Sequence, residues 1–319
     1  MVALKTCSEF FEILDLNTEM SLYFNPLDYL LLDPQVVFGP RCLNLPALPL
    51  HLPLVILSAI FYQLVYSVVA PWLWRALEKL NPSPAPLKIT HSLWHINIVS
   101  IAQSCISTAL SFYLSSHREF RHDLSPQEMI LGYHRETTRA LAVTTGYFVF
   151  HLGSTWVQRE FHGMFMFGHA MCALFAVSLG FRPLALHYTG AYLLWELPNI
   201  FLNFQRQLDN SGRRKTWYRT VNRGFLLSTY AIFRLALGSM TIFQMGRDMI
   251  LTRRDPHPKL GVQHIVPPLL STGHQGVQEV QTMPVVLAII QLGSMAFLHL
   301  QGFYWFSKIL LKGDLRKVK

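Results

Sequence analysis

Four candidate ionisable residues lie inside the apolar runs of the stretch between residues 144 and 209. They are His151, His169, His187 and Glu196. A charged group at the centre of a bilayer costs about 2.5–3.5 kcal/mol, so such residues usually face the interior of a helical bundle. The stretch therefore predicts a polar site inside a membrane, where a histidine or a carboxylate could bind a ligand or transfer a proton.

Helical spacing predicts a polar stripe on the apolar segment around Glu196. Side chains three or four positions apart share one face of a helix. The stripe consists of Thr189, Tyr192, Glu196, Asn199 and Asn203. Pro198 lies among them and leaves a carbonyl one turn earlier without its helical donor, which favours a kink. In one interpretation the stripe lines a cavity, and in the other it packs between helices.

Arg234 lies in the middle of a later apolar segment, on one helical face with Tyr230. A guanidinium cannot lose its charge by deprotonation, so it requires acceptors. Glu196 is the only carboxylate deep within any of the apolar segments. The sequence therefore predicts an ion pair between Glu196 and Arg234, which could serve stability alone.

His169 falls near the centre of its apolar segment and is the candidate catalytic residue. An imidazole there can act as a base, a nucleophile or a hydrogen-bond donor, although a histidine that only bridges helices is the alternative. No metal site is predicted. The other candidate residues, predicted to line a lipid-accessible cavity, are Asn97, Ser100, His151, Tyr192, Glu196, Asn199, Asn203, Tyr230 and Arg234.

The segment that contains Asn97 and Ser100 also carries serines at helical spacing. They are Ser104, Ser107 and Ser111. Small hydroxyl residues in such a pattern mostly let two helices approach closely. Packing is therefore the favoured interpretation of this face, with a cavity wall as the alternative.

Composition predicts an all-α, polytopic membrane protein. Hydrophobic residues make up 51% of the 319 residues and charged residues only 14%, against roughly 25% charged residues in ordinary globular domains. The apolar residues form blocks long enough to cross a bilayer, for which about 20 residues suffice. The seven predicted spans cover residues 50–73, 93–114, 139–157, 161–181, 184–204, 225–245 and 284–311.

The basic residues favour membrane topology over nucleic-acid binding as the origin of the net charge of +9. Most of them flank the apolar blocks, as the positive-inside rule requires. Their distribution favours a lumenal N-terminus and a cytosolic C-terminus. Residues 1–49 form a charged extramembrane region in which Cys7 and Cys42 could pair or remain free thiols, and residues 50–86 hold the first span and a proline-rich connector.

Several motifs, taken in order, resemble those of the TLC-domain family, which includes the ceramide synthases. The matching stretches are WHINIVS at 94–100, GYFVFHL at 146–152, GHA at 168–170, WELPNIFLN at 195–203 and LQGFYWFSK at 300–308, together with Arg234. The resemblance covers about residues 90–312. It implies a six-helix TLC domain at 87–312 with a TLC-type helical bundle or barrel. A basic tail follows at 313–319, which the charge distribution places in the cytosol.

The departures from the ceramide synthase pattern favour the family members that are not synthases. Gly168 stands where that pattern has the first histidine of a pair, and His151 stands where an aspartate is usual. The resemblance thus implies a protein that binds membrane lipids and regulates lipid composition, sensing or trafficking, without a cofactor. The alternatives are an acyltransferase that uses His169 and acyl-CoA, and a transporter.

The expected location is the endoplasmic reticulum. The final residues, RKVK at 316–319, resemble a cytosolic dibasic retrieval signal. A basic stop after the last helix explains them equally well. Membrane lipids are the expected partners, and the sequence names no protein partner.

Overall fold

The computed structural model describes residues 45–80, 91–116, 124–210, 216–254 and 285–312. All regular elements in these ranges are helical. The expectations for the N-terminal region up to residue 44, including the pairing of Cys7 with Cys42, lie outside the described residues. The same holds for the proline-rich connector, most of the loop before the last helix, and the basic tail.

The helices follow one another with short connections wherever the chain is described. Their bounds are α1 Leu48–Leu64, α2 Ala70–Leu80, α3 His91–Ser116, α4 Pro126–Leu131, α5 Arg135–Val157, α6 Arg159–Ser178, α7 Thr189–Leu194, α8 Leu197–Asn210, α9 Trp217–Thr229, α10 Leu237–Arg254 and α11 Val285–Lys312. Two π-helical segments, Val65–Val69 and Tyr230–Ala236, join α1 to α2 and α9 to α10 without a break. Such π segments often lie at functional sites.

Five helices in the described ranges are long and apolar enough to cross a membrane. They span Leu48–Ala76, His91–Ser116, Gly163–Phe181, Trp217–Arg254 and Val285–Leu311. The chain is therefore an all-α, multi-pass membrane protein. The other two predicted spans are helical but differ: α5 is less apolar than these five, and the segment predicted at 184–204 is broken into α7 and α8.

Some helix ends differ from those predicted. The sixth predicted span, 225–245, is the centre of a continuous helix that begins at Trp217 and ends at Arg254, because a helix does not stop where its side chains become basic, and long basic side chains can reach the interface. The polar loop before α5 contains the short helix α4. Ser125 and Glu128 form a capping box at its start, which satisfies two backbone donors.

Six helical segments form a closed ring. Around the ring, α5 contacts α6, α6 contacts α11, α11 contacts α10, α10 contacts α7, α7 contacts α3, and α3 returns to α5. The π-helical segment between α9 and α10 also contacts both α11 and α8. The ring places the inward faces of these segments around one interior.

The first helix packs against α5 on the outside of this ring. The hydroxyl of Ser58 donates to the carbonyl of Val143 at 2.8 Å. At Gly146 the two backbones are so close that a Cβ atom would lie 2.5 Å from the carbonyl oxygen of Val55. A glycine is therefore required at this crossing, because any side chain would push the helices apart.

Candidate functional site

The centre of the site is the break between α7 and α8. The amide of Glu196 donates to the carbonyl of Leu193 at 3.2 Å, and the amide of Asn199 donates to the carbonyl of Glu196 at 3.0 Å. Both bonds span three residues, where an α-helix would span four. Pro198 has no amide hydrogen, so the break lies where its position predicts it. The carbonyl of Trp195 faces a neighbouring helix as a result.

Arg234 approaches this break from the π-helical segment Tyr230–Ala236. Its Nη1 donates to the carbonyl oxygen of Trp195 at 3.2 Å and reaches the side-chain oxygen of Asn199 at 3.5 Å. The guanidinium carbon also lies 5.6 Å from the ring centroid of Tyr230, a distance at which a cation is attracted to an aromatic face. Its Nε is buried without a hydrogen-bond partner.

The predicted ion pair between Glu196 and Arg234 is wrong in its direct form. No nitrogen of Arg234 lies within 4.0 Å of the Glu196 carboxylate, although both side chains belong to the described part of the chain. Asn199 lies between them and donates from Nδ2 to Oε2 of Glu196 at 2.7 Å. Because the helix is broken here, the amide of Asn199 connects the two charges through hydrogen bonds.

His169 projects from α6 and contacts the last helix. Its Nδ1 lies 2.5 Å from Oε1 of Gln301. Since an amide oxygen only accepts, this contact requires the proton of the neutral imidazole to be on Nδ1, with Nε2 as the basic nitrogen. Nε2 is the nitrogen that could accept a proton from a bound molecule.

One cavity inside the ring brings the charged residues together. Its volume is about 80 Å³, several times the roughly 10–15 Å³ that one water molecule needs. His169, Glu196 and Arg234 all line it, as does Tyr192. The rest of its wall is mostly apolar and includes Leu141, Phe148, Ala173, Leu184, Leu193, Met295 and Leu298. The site thus combines two opposite charges and an imidazole with an otherwise apolar wall.

Comparison with known proteins identifies the family. The TLC domain matches residues 93–311, well over half of the chain. The chain belongs to the TLC-domain family. The matched range contains all but the terminal residues of the six segments of the ring, and every residue on the cavity wall.

Two curated relatives of the TLC-domain chain come from yeasts. An uncharacterised TLC domain-containing protein of Schizosaccharomyces pombe is 26% identical over 268 residues, which cover 84% of this chain and 80% of that protein. Topoisomerase I damage affected protein 4 of Saccharomyces cerevisiae is 25% identical over 228 residues, which cover 70% of this chain and 78% of that protein. Neither is named as a ceramide synthase. No solved structure matches the chain.

Several residues predicted to line the cavity of the TLC domain lie elsewhere. Asn203 donates from Nδ2 to the hydroxyl of Ser100 at 2.8 Å, so these two residues join α8 to α3. The hydroxyl of Ser111 likewise donates to the carbonyl of Gly190 at 2.7 Å. The polar face of α3 therefore packs against α7 and α8, which agrees with the favoured interpretation of its serines.

The remaining candidates lie outside the cavity. His151 stacks on the ring of Tyr147, with centroids 5.4 Å apart. The hydroxyl of Tyr230 donates to the carbonyl of Gly302 at 3.1 Å and fixes the π-helical segment against α11. Asn97 is buried on α3. None of these residues is part of the cavity wall.

Sequence analysis missed the contribution of the last helix. Gln291 lies on the cavity wall, and Gln301 orients His169. Both are amides within an apolar segment, which is a signal of the same kind as the asparagines in α8. Trp195 also lines the cavity, beside Thr189 of the predicted stripe. Trp195 was part of a recognised motif but was not assigned a role.

Proposed function

We propose that the TLC domain binds a membrane lipid in the cavity between His169, Glu196 and Arg234, and that the protein thereby regulates membrane lipid composition. One observation supports this proposal above the others. Two opposite charges line the same cavity and are joined through an amide, without forming a direct ion pair.

The free energy needed to bury the charges of Glu196 and Arg234 without direct contact supports a binding role. A buried ion pair that served stability alone would gain most from direct contact, because contact offsets the loss of hydration. Here Arg234 keeps an unpartnered Nε, and Glu196 faces an open volume. Polar groups held apart in an apolar cavity are typical of sites that orient a ligand.

The location proposed for this function is the endoplasmic reticulum, with a lumenal N-terminus and a cytosolic C-terminus. The basic residues that flank the apolar segments favour this orientation. A fluorescent fusion at the N-terminus should co-localise with an endoplasmic-reticulum marker. Replacing Lys317 and Lys319 with serine should move the protein to later membranes; unchanged localisation would mean that these lysines are no retrieval signal.

Lipid binding is tested with His169→Ala. The full chain, purified in mild detergent, should retain at least one lipid class above the level of an unrelated membrane protein, as measured by mass spectrometry. His169→Ala removes one hydrogen-bonding group, worth about 1 kcal/mol, and should lower retention about fivefold. The lipid profile of cells that carry the variant should shift towards that of cells that lack the protein.

The matched control is His95→Ala. His95 lies on α3, outside the cavity, where its ring contacts Tyr66. This variant should retain the lipid as the unmodified protein does. Equal retention by all three proteins, with an unchanged lipid profile, would contradict the proposed function.

Acyl transfer is the second candidate, favoured by the orientation of His169. With its Nδ1 proton held by Gln301, Nε2 can remove the proton of an acceptor amine or hydroxyl as it attacks an acyl-CoA thioester. The acyl carbon then bonds to the acceptor, and the CoA thiolate leaves. Purified protein should release CoA in the presence of the acceptor, and both His169→Ala and Gln301→Leu should slow the release at least about 100-fold. No turnover by the unmodified protein would exclude this candidate.

A further inference from the structure

The cavity wall carries buried polar atoms that have no hydrogen-bond partner in the protein. The indole N–H of Trp195 and the side-chain oxygen of Gln291 are two of them, and both side chains line the cavity. Trp195 is 6% exposed and Gln291 is 3% exposed. A buried polar atom without a partner costs about 1–3 kcal/mol. An occupant that satisfies these atoms would recover that free energy.

The charges on the wall indicate an uncharged occupant. Glu196 and Arg234 contribute one formal charge of each sign. A phosphate or an ammonium group would leave an excess charge among apolar side chains, which is expensive in a medium of low dielectric constant. A neutral polar group leaves the balance between Glu196 and Arg234 unchanged.

The hydrogen-bond donors and acceptors on the cavity wall restrict which neutral polar group can bind there. The indole of Trp195 and the Nε of Arg234 only donate, whereas the carboxylate of Glu196 accepts. Gln291 adds the unpartnered oxygen, which also accepts. An ester carbonyl or an ether oxygen could satisfy the donors alone. A hydroxyl group satisfies both kinds of atom, because it donates one hydrogen bond and accepts up to two.

We propose that the cavity binds the hydroxyl head of an uncharged, single-hydroxyl lipid, with its hydrocarbon part against the apolar wall. This inference rests on the proposed function and names the ligand class for the same cavity. Phe148, Leu141 and Leu298 provide apolar surface beside the polar atoms. Diacylglycerols and sterols are membrane lipids that carry such a head.

The first experiment compares the affinities of different lipids for the unmodified full chain, so its result does not depend on how any variant folds. Purified protein in detergent is saturated with tritiated dioleoylglycerol, and unlabelled lipids are added to displace the labelled lipid from the protein. A parallel series uses tritiated cholesterol. The competitors are dioleoylglycerol, cholesterol, the methyl ether of each, and dioleoylphosphatidate. Each ether keeps the oxygen but loses the donor, whereas the phosphatidate keeps the chains and adds negative charge.

The proposal expects the free hydroxyl to bind at least tenfold more tightly than the ether of the same lipid, and than the phosphatidate. Tenfold corresponds to about 1.4 kcal/mol, within the range for one hydrogen bond at a buried partner. The lipid series in which the free hydroxyl is preferred over its ether by the larger ratio shows whether the ligand is a glycerolipid or a sterol.

Two variants test whether the preference arises at this wall. Gln291→Leu removes one of the two acceptors on the wall, so the ratio between the affinities for the hydroxyl lipid and its ether should fall. Trp195→Phe removes the indole donor. It should weaken the binding of the hydroxyl lipid and of its ether alike, by about fivefold. Trp94→Phe is the matched control, because Trp94 is also buried but packs against Trp74 away from the cavity.

The outcomes separate this inference from the proposed function. Equal binding of hydroxyl and ether, or tighter binding of phosphatidate, would overturn the hydroxyl assignment while lipid binding itself stands. If no lipid binds to the unmodified protein, water molecules satisfy Trp195 and Gln291, and the proposed function fails as well. Binding that both Gln291→Leu and Trp195→Phe leave unchanged, in affinity and in the ratio of hydroxyl to ether, would place the binding site elsewhere and also overturn the proposal.

Discussion

Replacing Arg234 with Met is expected to lower the free energy of unfolding by about 1.5–3 kcal/mol, the usual cost of hydrogen bonds to a charged group. The substitution removes the donor to the Trp195 carbonyl at 3.2 Å and the contact with Asn199. It also leaves Glu196 without the opposite charge on its cavity. Methionine keeps most of the side-chain volume, so a cavity contributes little to the loss. The measurement is thermal unfolding of the purified chain in detergent.

A double-mutant cycle shows whether the charges of Glu196 and Arg234 interact although Asn199 lies between them. Glu196→Gln alone should also destabilise the protein, because it leaves Arg234 uncompensated. The double variant should cost less than the sum of the two single variants by at least about 0.5 kcal/mol. Strict additivity would mean that the two charges do not interact. Arg253→Met is the control, since Arg253 is exposed at the end of α10, and it should change stability by less than about 0.5 kcal/mol.

Replacing Gly146 with Ala is expected to destabilise the fold by about 3 kcal/mol, the upper end of the usual range for overpacking. The new Cβ would lie 2.5 Å from Cβ of Ser58, 2.5 Å from the carbonyl oxygen of Val55 and 2.8 Å from the amide nitrogen of Ala59. Two of these atoms belong to the backbone and cannot rotate away. The helices α1 and α5 must separate, which also breaks the bond from Ser58 to the Val143 carbonyl.

The same helix provides the matched control for that prediction. A Cβ at Gly153 would meet no atom within 4 Å. Gly153→Ala should therefore stabilise α5 by up to about 1 kcal/mol, since alanine favours the helix over glycine. The two alanines should shift the unfolding temperature in opposite directions. A shift in the same direction for both would contradict the close approach of α1 and α5.

Hydropathy predicted most of the fold because the bilayer acts on each segment independently. A span needs an apolar run of a given length, whatever its neighbours are. This rule identified the helices at His91–Ser116 and Val285–Lys312 to within a few residues. It failed to predict α4, which lies outside the apolar runs. It also predicted too short a helix around Arg234, because hydropathy identifies only the apolar part of a helix and not its polar ends.

Helical spacing predicted which residues share a face but not what that face contacts. It placed Glu196, Asn199 and Asn203 on one stripe. The structure divides the stripe: Glu196 lines the cavity, Asn199 bridges to Arg234, and Asn203 bonds to Ser100 on another helix. The choice between cavity and packing depends on which helix lies opposite each turn. No periodicity within a single helix contains that information.

The sequence by itself determined the α-helical membrane fold, the family, and the placement of the costly polar residues within apolar segments. Each follows from local composition or from ordered motifs, and Pro198 fixed the break in the helix because proline has no amide hydrogen to donate. Only the tertiary structure decided that Asn199 separates Glu196 from Arg234, that Gln301 orients His169, and that Trp195 and Gln291 face the same cavity. These contacts join residues up to 132 positions apart, so they depend on the order of helices around the ring.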